Sequence, residues 1–287
     1  MADYAHRVHL VMDHIRGHLA EDLSLTKLAA VAHFSPYHFH RVFKGVVGET
    51  VAAFTRRARL ERAVYLMRGA PHRELTSIAL EVGFKTPSDF SRVFRSVYGV
   101  APSHWDRKSR LDDVTTYTDP DATVPESMPV RRVRHEACRV AYVRVNDPWT
   151  GTGLPRGYAS LCAWYGEQGG DRSAATLIGM SWDSDKATPI ERLQYDLGFV
   201  LEPGFPETDG VGIHVFPAIE AVEVHCTSLR QTATAWDYLY ERWLPESGYE
   251  PDEMPAIKRF RRAPEIFDAN AWDLDCSIAI RRSLSRP

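Results

Sequence analysis

Two stretches of the chain, LAAVAHFSPYHFHRVFKGVVG (28–48) and IALEVGFKTPSDFSRVFRSVYG (78–99), repeat each other with one extra residue in the second turn. Ser35-Pro36 matches Thr86-Pro87. Phe39, Arg41, Val42, Phe43 and Gly48 match Phe90, Arg92, Val93, Phe94 and Gly99. Each copy reads as a short helix, a tight turn and a second helix that opens on a Ser or Thr cap with Pro at its first position. That is a helix-turn-helix plan, present twice. The surrounding pattern agrees, and residues 1–108 read as an all-α domain of about seven helices. Val8, Leu10, Val11, Ile15 and Leu19 recur near helical spacing, Ser24 caps SLTKLAAVA, and a long helix from Thr50 to Gly69 joins the two copies. Residues 109–127 are polar, carry prolines and show no period, as a linker does.

Helical phase sorts the second helix of each copy into two faces. Phe39, Val42, Phe43 and Val46 fall at i, i+3, i+4 and i+7, as do Phe90, Val93, Phe94 and Val97, so both sets are expected to be buried. Tyr37, His40, Arg41 and Lys44, and in the second copy Ser88, Ser91, Arg92 and Arg95, fall on another face. An apolar back with a cationic, hydrogen-bonding front suits a helix inserted in the major groove, where Arg can bond guanine edges and Lys or Ser can hold phosphates. The capped N-termini at Ser35 and Thr86 add free N–H groups and a positive dipole end. Charge points the same way: residues 1–110 hold 17 Lys and Arg against 10 Asp and Glu, a net +7, and the remainder hold 18 against 28, a net −10. A metal site in HFSPYHFHRVFK is not expected. His38 and His40 stand about 200° apart around the helix, His33 lies in the turn, and no HExxH or neighbouring cysteine completes a ligand set.

The stretches quoted above, with RRARLERAVYLMRG and ELTSIALEVGFKTPSDFSRVFRSVYGVAPSHW, closely resemble the AraC/XylS DNA-binding domain over residues 20–108. The resemblance implies two helix-turn-helix units joined by a rigid helix, with two recognition helices placed in adjacent major grooves of double-stranded DNA by a monomer. By position, Tyr37, His40 and Arg41 match base-contacting residues of the first recognition helix, and Ser88, Ser91 and Arg92 those of the second. Pro87 and Asp89 depart from the polar or amide residues often found there.

After the linker the period changes. Strand-like runs stand at 139–145, 175–182, 193–201, 218–226, 256–260 and 274–280, and helix-like runs at RGYASLCAWYGEQ and TATAWDYLYERWL, giving β-α-β-β twice. An α+β domain of two similar halves is expected over 128–287. It has no Gly-rich phosphate loop, no GxSxG and no recognisable Cys/His dyad, and no cofactor is expected. Trp236, Tyr240 and Trp243 share one helix face and read as packing, whereas Trp149, Trp182, Tyr195 and Trp272, at strand ends and in loops, are candidates for lining a pocket. Cys138, Cys162, Cys226 and Cys276 form no CxxC and read as free thiols of a cytoplasmic protein; no 18-residue apolar run suggests a membrane partner.

YERWLPESGYEPDEMPAIKRF, WDLDCSIAI and the doubled β-α-β-β order resemble the GyrI-like (SHS2-type) effector-binding domain, and the two resemblances together suggest a Rob-like regulator, DNA-binding half first. The resemblance implies a small, often aromatic or cationic, molecule bound between the two halves, commonly against a buried glutamate. Here Lys258 stands in that place, in PAIKRF, while Asp196 and Asp275 sit at matching places in the two halves. A cation is repelled by a lysine there unless Asp196 or Asp275 offsets its charge; otherwise the effector is neutral or anionic, or the domain uses a different acid such as Glu220 or Glu223, or Lys258 is a surface strand residue pointing away from any cleft. RNA polymerase is a further candidate partner. Two other functions stay open for the C-terminal half: a small-molecule hydrolase, or a ligand-independent protein-interaction module.

Overall fold

The computed structural model describes residues 2–106, 124–146, 148, 152–183, 188, 193–205, 210–261 and 272–283. The chain divides into two compact units, residues 1–67 with 72–107, and residues 68–71 with 108–287. Trp149 and most of the proposed linker lie outside the described residues.

The first unit is helical: α1 (Ala2–Gly17), α2 (Leu25–Val31), α3 (Pro36–Val47), α4 (Val51–Gly69), α5 (Leu75–Glu81) and α6 (Pro87–Tyr98), followed by a 3-10 turn at Pro102–His104. The first copy of the repeat is α2–turn–α3 and the second is α5–turn–α6. Val8, Val11, Met12 and Ile15 line one stripe of α1 and pack with Leu28, Ala29, Phe39, Phe43 and Phe54. Met12 takes the place expected of Leu10, which is 39% exposed. In the second copy the core is a run of rings: Phe84 to Phe90 at 5.3 Å, Phe90 to Phe94 at 5.5 Å and Phe94 to Trp105 at 6.0 Å between centroids.

Tight polar contacts hold the copies in register. Arg57 of α4 donates to Glu49 and to Glu61, each at 2.8 Å. Arg59 Nε donates to the Leu19 carbonyl at 3.0 Å. That same carbonyl lies against the turn of the second copy, where a Cβ added to Gly83 would stand 2.0 Å from it, and Gly83 has φ +90°. The residue at the matching turn position of the first copy is His33, also left-handed at φ +52°. Non-glycine residues pay for that conformation in sterics, and the His33 carbonyl is held by Arg7 at 2.8 Å.

The second unit is built on one nine-stranded sheet with order β1-β6-β9-β8-β3-β4-β2-β5 and β7 paired on β9. The strands are β1 (Val130–His135), β2 (Cys138–Asn146), β3 (Leu177–Ser181), β4 (Gln194–Leu201), β5 (Gly212–Phe216), β6 (Ile219–Cys226), β7 (Tyr249–Pro251), β8 (Ala256–Phe260) and β9 (Leu274–Arg282). Helices α7 (Gly153–Glu167) and α8 (Leu229–Tyr238) follow β2 and β6; α8 runs on through a π turn, Leu239–Trp243, into the short α9, Leu244–Ser247. The β-α-β-β halves are therefore β2-α7-β3-β4 and β6-α8-β8-β9. Adding 79 to the pair Met180–Asp196 gives the pair Arg259–Asp275, and both are cross-strand partners. The same shift carries Gly179 onto Lys258, and these two face each other across the β3·β8 junction. The pseudo-twofold axis of the unit thus passes between Gly179 and Lys258.

Three strands depart from the expected order: β1, β5 and the short β7. β1 and β5 are swapped edges. Each leads through two residues into the next strand yet pairs with the first strand of the other half, β1 on β6 and β5 on β2. Connections this short draw the two ends of the sheet together. Between them lies a cavity of about 20 Å³ lined by His135, Cys138, Ile178, Phe216, Ile257 and Arg259 among others. That is room for about one water molecule and not for an effector.

Candidate functional site

The two recognition helices are built alike. Ser35 Oγ accepts from the His38 N–H at 3.4 Å and Thr86 Oγ1 from the Asp89 N–H at 3.1 Å; Pro36 and Pro87 follow the caps. Gly48 and Gly99 close the helices in the left-handed conformation, at φ +81° and +76°. Phe39 and Phe43, and their counterparts Phe90 and Phe94, are fully buried. One expectation fails in both copies: Val46 is 37% exposed and Val97 52%. The buried stripe continues instead by i+4 steps, to the partly buried Val47 and Tyr98. In the last turn Val47 packs on the core of its copy and Tyr98 on Phe94, at 4.5 Å, while Val46 and Val97 turn outward.

Tyr37, His40, Arg41, Lys44, Ser88, Ser91, Arg92 and Arg95 are all exposed, as are Ser35 and Thr86. Tyr37 is 75% exposed, unusual for a tyrosine with a core beneath it. The Arg41 guanidinium lies 5.9 Å from its ring centroid. In the second copy Arg92 donates to Asp89 at 2.8 Å, and this hydrogen bond holds the Asp89 carboxyl below its ordinary range. The three histidines of the opening motif go separate ways. His33 is in the left-handed turn, His40 is on the exposed face, and His38 packs edge-on against Tyr4 and Phe34.

The candidate ligand residues of the second unit fall into three places. Tyr195, Lys258 and Trp272 come together. Lys258 is 5% exposed, with Nζ 5.3 Å from the Tyr195 ring centroid and 6.0 Å from that of Trp272. Lys258 is therefore not a surface residue pointing away. Opposite it, the Tyr195 hydroxyl lies over Gly179, where a Cβ would come within 1.6 Å of it. Burial raises the Tyr195 hydroxyl above its ordinary pKa. Trp272 stacks edge-on against Phe260 at 5.4 Å, and its buried Nε1 finds no acceptor among the described residues. Cys276, the β9 partner of Lys258, is buried with its sulfur 3.8 Å from that of Cys226. Burial and that neighbour push its thiol well up. Phe199, four residues beyond Tyr195 and on the same face, meets Tyr165 of α7 at 4.8 Å, so this is the helix-covered face of the sheet.

Trp182 and Asp275 lie on the opposite face, and Glu220 is exposed on β6. Asp275 accepts hydrogen bonds from Arg261 Nε at 2.9 Å and Nη2 at 2.8 Å, and lies 3.3 Å from Arg131. Its counterpart Asp196 accepts two hydrogen bonds from Arg144 at 2.7 Å, one from Trp182 Nε1 at 2.9 Å, and stands 3.0 Å from His214 Nε2. Burial alone would raise the Asp196 carboxyl, but Arg144 and His214 hold it well below the carboxylate range. Neither aspartate shares a face with Lys258, so the suggestion that they offset its charge from within one cleft does not hold. Sequence reasoning missed Gly179, Arg144 and His214; the 79-residue internal match would have located Gly179 as the partner of Lys258.

A GyrI-like small molecule binding domain profile matches residues 128–281, more than half of the chain, and a helix-turn-helix domain profile matches residues 28–108. The chain belongs to the GyrI-like family, with an AraC-type helix-turn-helix domain ahead of it. The chain is 34% identical over 95 residues to transcriptional regulator Rob of Salmonella typhimurium, covering 33% of this chain and 32% of that one. It is 33% identical over 93 residues to the right origin-binding protein of Escherichia coli, covering 32% of each. The matches thus span about a third of these curated relatives. Among solved structures, the C-terminal domain of AraT, a response regulator from Geobacillus stearothermophilus, covers 38% of this chain and 90% of its own, at 26% identity and TM-score 0.34. Tyr195, Lys258 and Trp272 lie within the GyrI-like match, and α3 and α6 within the helix-turn-helix match. No described helix is long and apolar enough to cross a membrane.

Proposed function

We propose that this chain is a sequence-specific DNA-binding transcriptional regulator of the AraC/XylS type whose activity is set by a small molecule held in its GyrI-like unit. The repeated recognition helix carries the reading: α3 and α6 share cap, proline, buried phenylalanines and left-handed close, and each turns a row of cationic and hydrogen-bonding side chains outward. In adjacent major grooves Arg41 and Arg92 suit guanine edges, and Lys44 and Arg95 suit phosphates. With both helices in one chain, a monomer reads an asymmetric site, and the output runs to RNA polymerase; no residue is assigned a catalytic role. Fluorescence anisotropy of the full chain on duplex DNA tests this. Affinity should fall linearly with salt on a log–log plot, as counterion release requires. Binding that ignores salt, or that is equal for every sequence, sinks the reading.

For the effector, the buried lysine between two aromatic faces supports a neutral or anionic aromatic molecule on the helix-covered face around Lys258. Calorimetry with an aromatic carboxylate and with a lipophilic phosphonium cation separates the cases. Tight binding of the cation, abolished by Asp275→Asn, would overturn this charge assignment.

A further inference from the structure

The recognition helices differ at two adjacent positions in a way that changes what their arginines can do. Three residues past the cap stands His38 in α3 and Asp89 in α6. His38 turns sideways onto Tyr4 and Phe34, with centroids 5.7 and 5.0 Å away, and leaves the outward face to its neighbours. Asp89 faces along its own helix. Its carboxylate accepts from Arg92 Nη2 at 2.8 Å one turn later, and its backbone N–H is fixed by the Thr86 cap at 3.1 Å. The counterpart Arg41 lies instead on the ring of Tyr37, at 5.9 Å, and α6 has Ser88 where α3 has that ring. One guanidinium is thus steered by a carboxylate, while the other rests on an aromatic face.

In water such an exposed pair contributes little; the Arg92 and Asp89 side chains are 75% and 45% exposed. Inside a groove the balance changes. The carboxylate occupies one of the five guanidinium donors and leaves a fork of N–H groups for the O6 and N7 of a guanine. Displacing water strengthens the pair, and the side chain has less freedom to lose on binding. At any other base the fork goes unmet, while Asp89 still brings a negative charge toward the phosphates. A carboxylate in this place therefore lowers affinity for DNA at large and raises the penalty for a wrong base.

We propose that Asp89 is a positioning residue that fixes Arg92 for guanine, so that the second recognition helix carries discrimination and the first carries more of the affinity. The inference rests on the DNA-binding function proposed above, and one experiment separates their failures. Binding sites are selected from a randomised duplex pool with the full chain, as wild type, Asp89→Ala, Asp89→Asn, Arg92→Ala and the double variant with both alanines. Affinity for a mixed-sequence duplex is measured alongside. The wild type is expected to prefer guanine about tenfold or more at one position, a preference that Arg92→Ala removes. Asp89→Ala should cut it to about threefold or less while binding mixed sequence more tightly, and Asp89→Asn, which keeps an acceptor without the charge, should fall between. In the Arg92→Ala background, Asp89→Ala should leave base preference unchanged. An undiminished guanine preference in Asp89→Ala overturns the inference, as does a shift in preference when Arg92 is already gone. A wild type that selects no sequence at all removes the sequence-specific function proposed above.

Discussion

Both units of this chain are internal duplications, and they have kept different things. The helical unit has kept its side chains. A shift of 51 residues carries Ser35 to Thr86, Phe39 to Phe90, Arg41 to Arg92, Lys44 to Arg95 and Gly48 to Gly99, and each lands in the same local structure. The sheet unit has kept its backbone and changed the residues at its axis. A shift of 79 carries Gly179 to Lys258, a bare position to a buried charge, and Tyr195 fills the space over the glycine. DNA presents much the same surface again one groove along, so two copies of one reading head are useful. With the effector placed there as proposed above, a small molecule would present different groups to either side, so identical halves would be a handicap.

The two halves of the sheet can be separated by mutation, and the largest effect should come from their aspartates. Asp196→Asn removes a counter-charge of Arg144, and both side chains are fully buried. Urea unfolding should show a loss of about 3–5 kcal/mol. At the matching position Asp275→Asn should cost under about 1 kcal/mol, because its partner Arg261 is 41% exposed. Equal losses would mean that the halves are energetically alike. Because the Asp196 carboxyl is held below its ordinary range in the folded protein, its contribution is present above about pH 4 and fades as acid is added; Asp196→Asn should flatten that slope.

Within the helical unit the copies should differ both where they bind and where they turn. Arg41→Ala should weaken specific binding by about 1–3 kcal/mol and relax preference at one base pair; Lys44→Ala should weaken every duplex about equally and lower the salt slope by about 1. Gly83→Ala meets both a left-handed backbone and the Leu19 carbonyl. It should destabilise the protein by at least about 1–3 kcal/mol in denaturant melts. The reverse change in the other turn, His33→Gly, relieves left-handed strain and should be neutral to slightly stabilising, by under about 1 kcal/mol after the extra entropy of glycine is counted. A large loss there would mean that the His33 side chain itself holds the turn.

The helical unit was legible because its signals are local: caps, prolines, closing glycines and a 3.6 period all lie within one copy. The misreadings there are Leu10, whose place in the core Met12 takes, and Val46 and Val97, where the buried stripe steps by i+4 from Phe43 and Phe94 to Val47 and Tyr98 rather than by i+3. The edge strands were hidden for a related reason. β1 reads VRRVRH because its exposed positions are arginines, and β5 is five residues long, so neither alternates clearly. The ligand face depends on register. Lys258 pairs with Cys276, so Asp275, one residue earlier, must point to the other side of the sheet. Asp196 and Asp275 were recognised as matching positions, but nothing short of the strand pairing shows that they match on the face away from Lys258.

Hydroxyl-radical footprinting of the full chain on a selected duplex tests the central claim most directly. Two inserted recognition helices predict two protected patches on one face of the DNA, about one helical turn apart. Arg41→Ala should weaken only one patch and Arg92→Ala only the other. A single patch indifferent to Arg92→Ala, or protection that runs along the whole duplex, would contradict it.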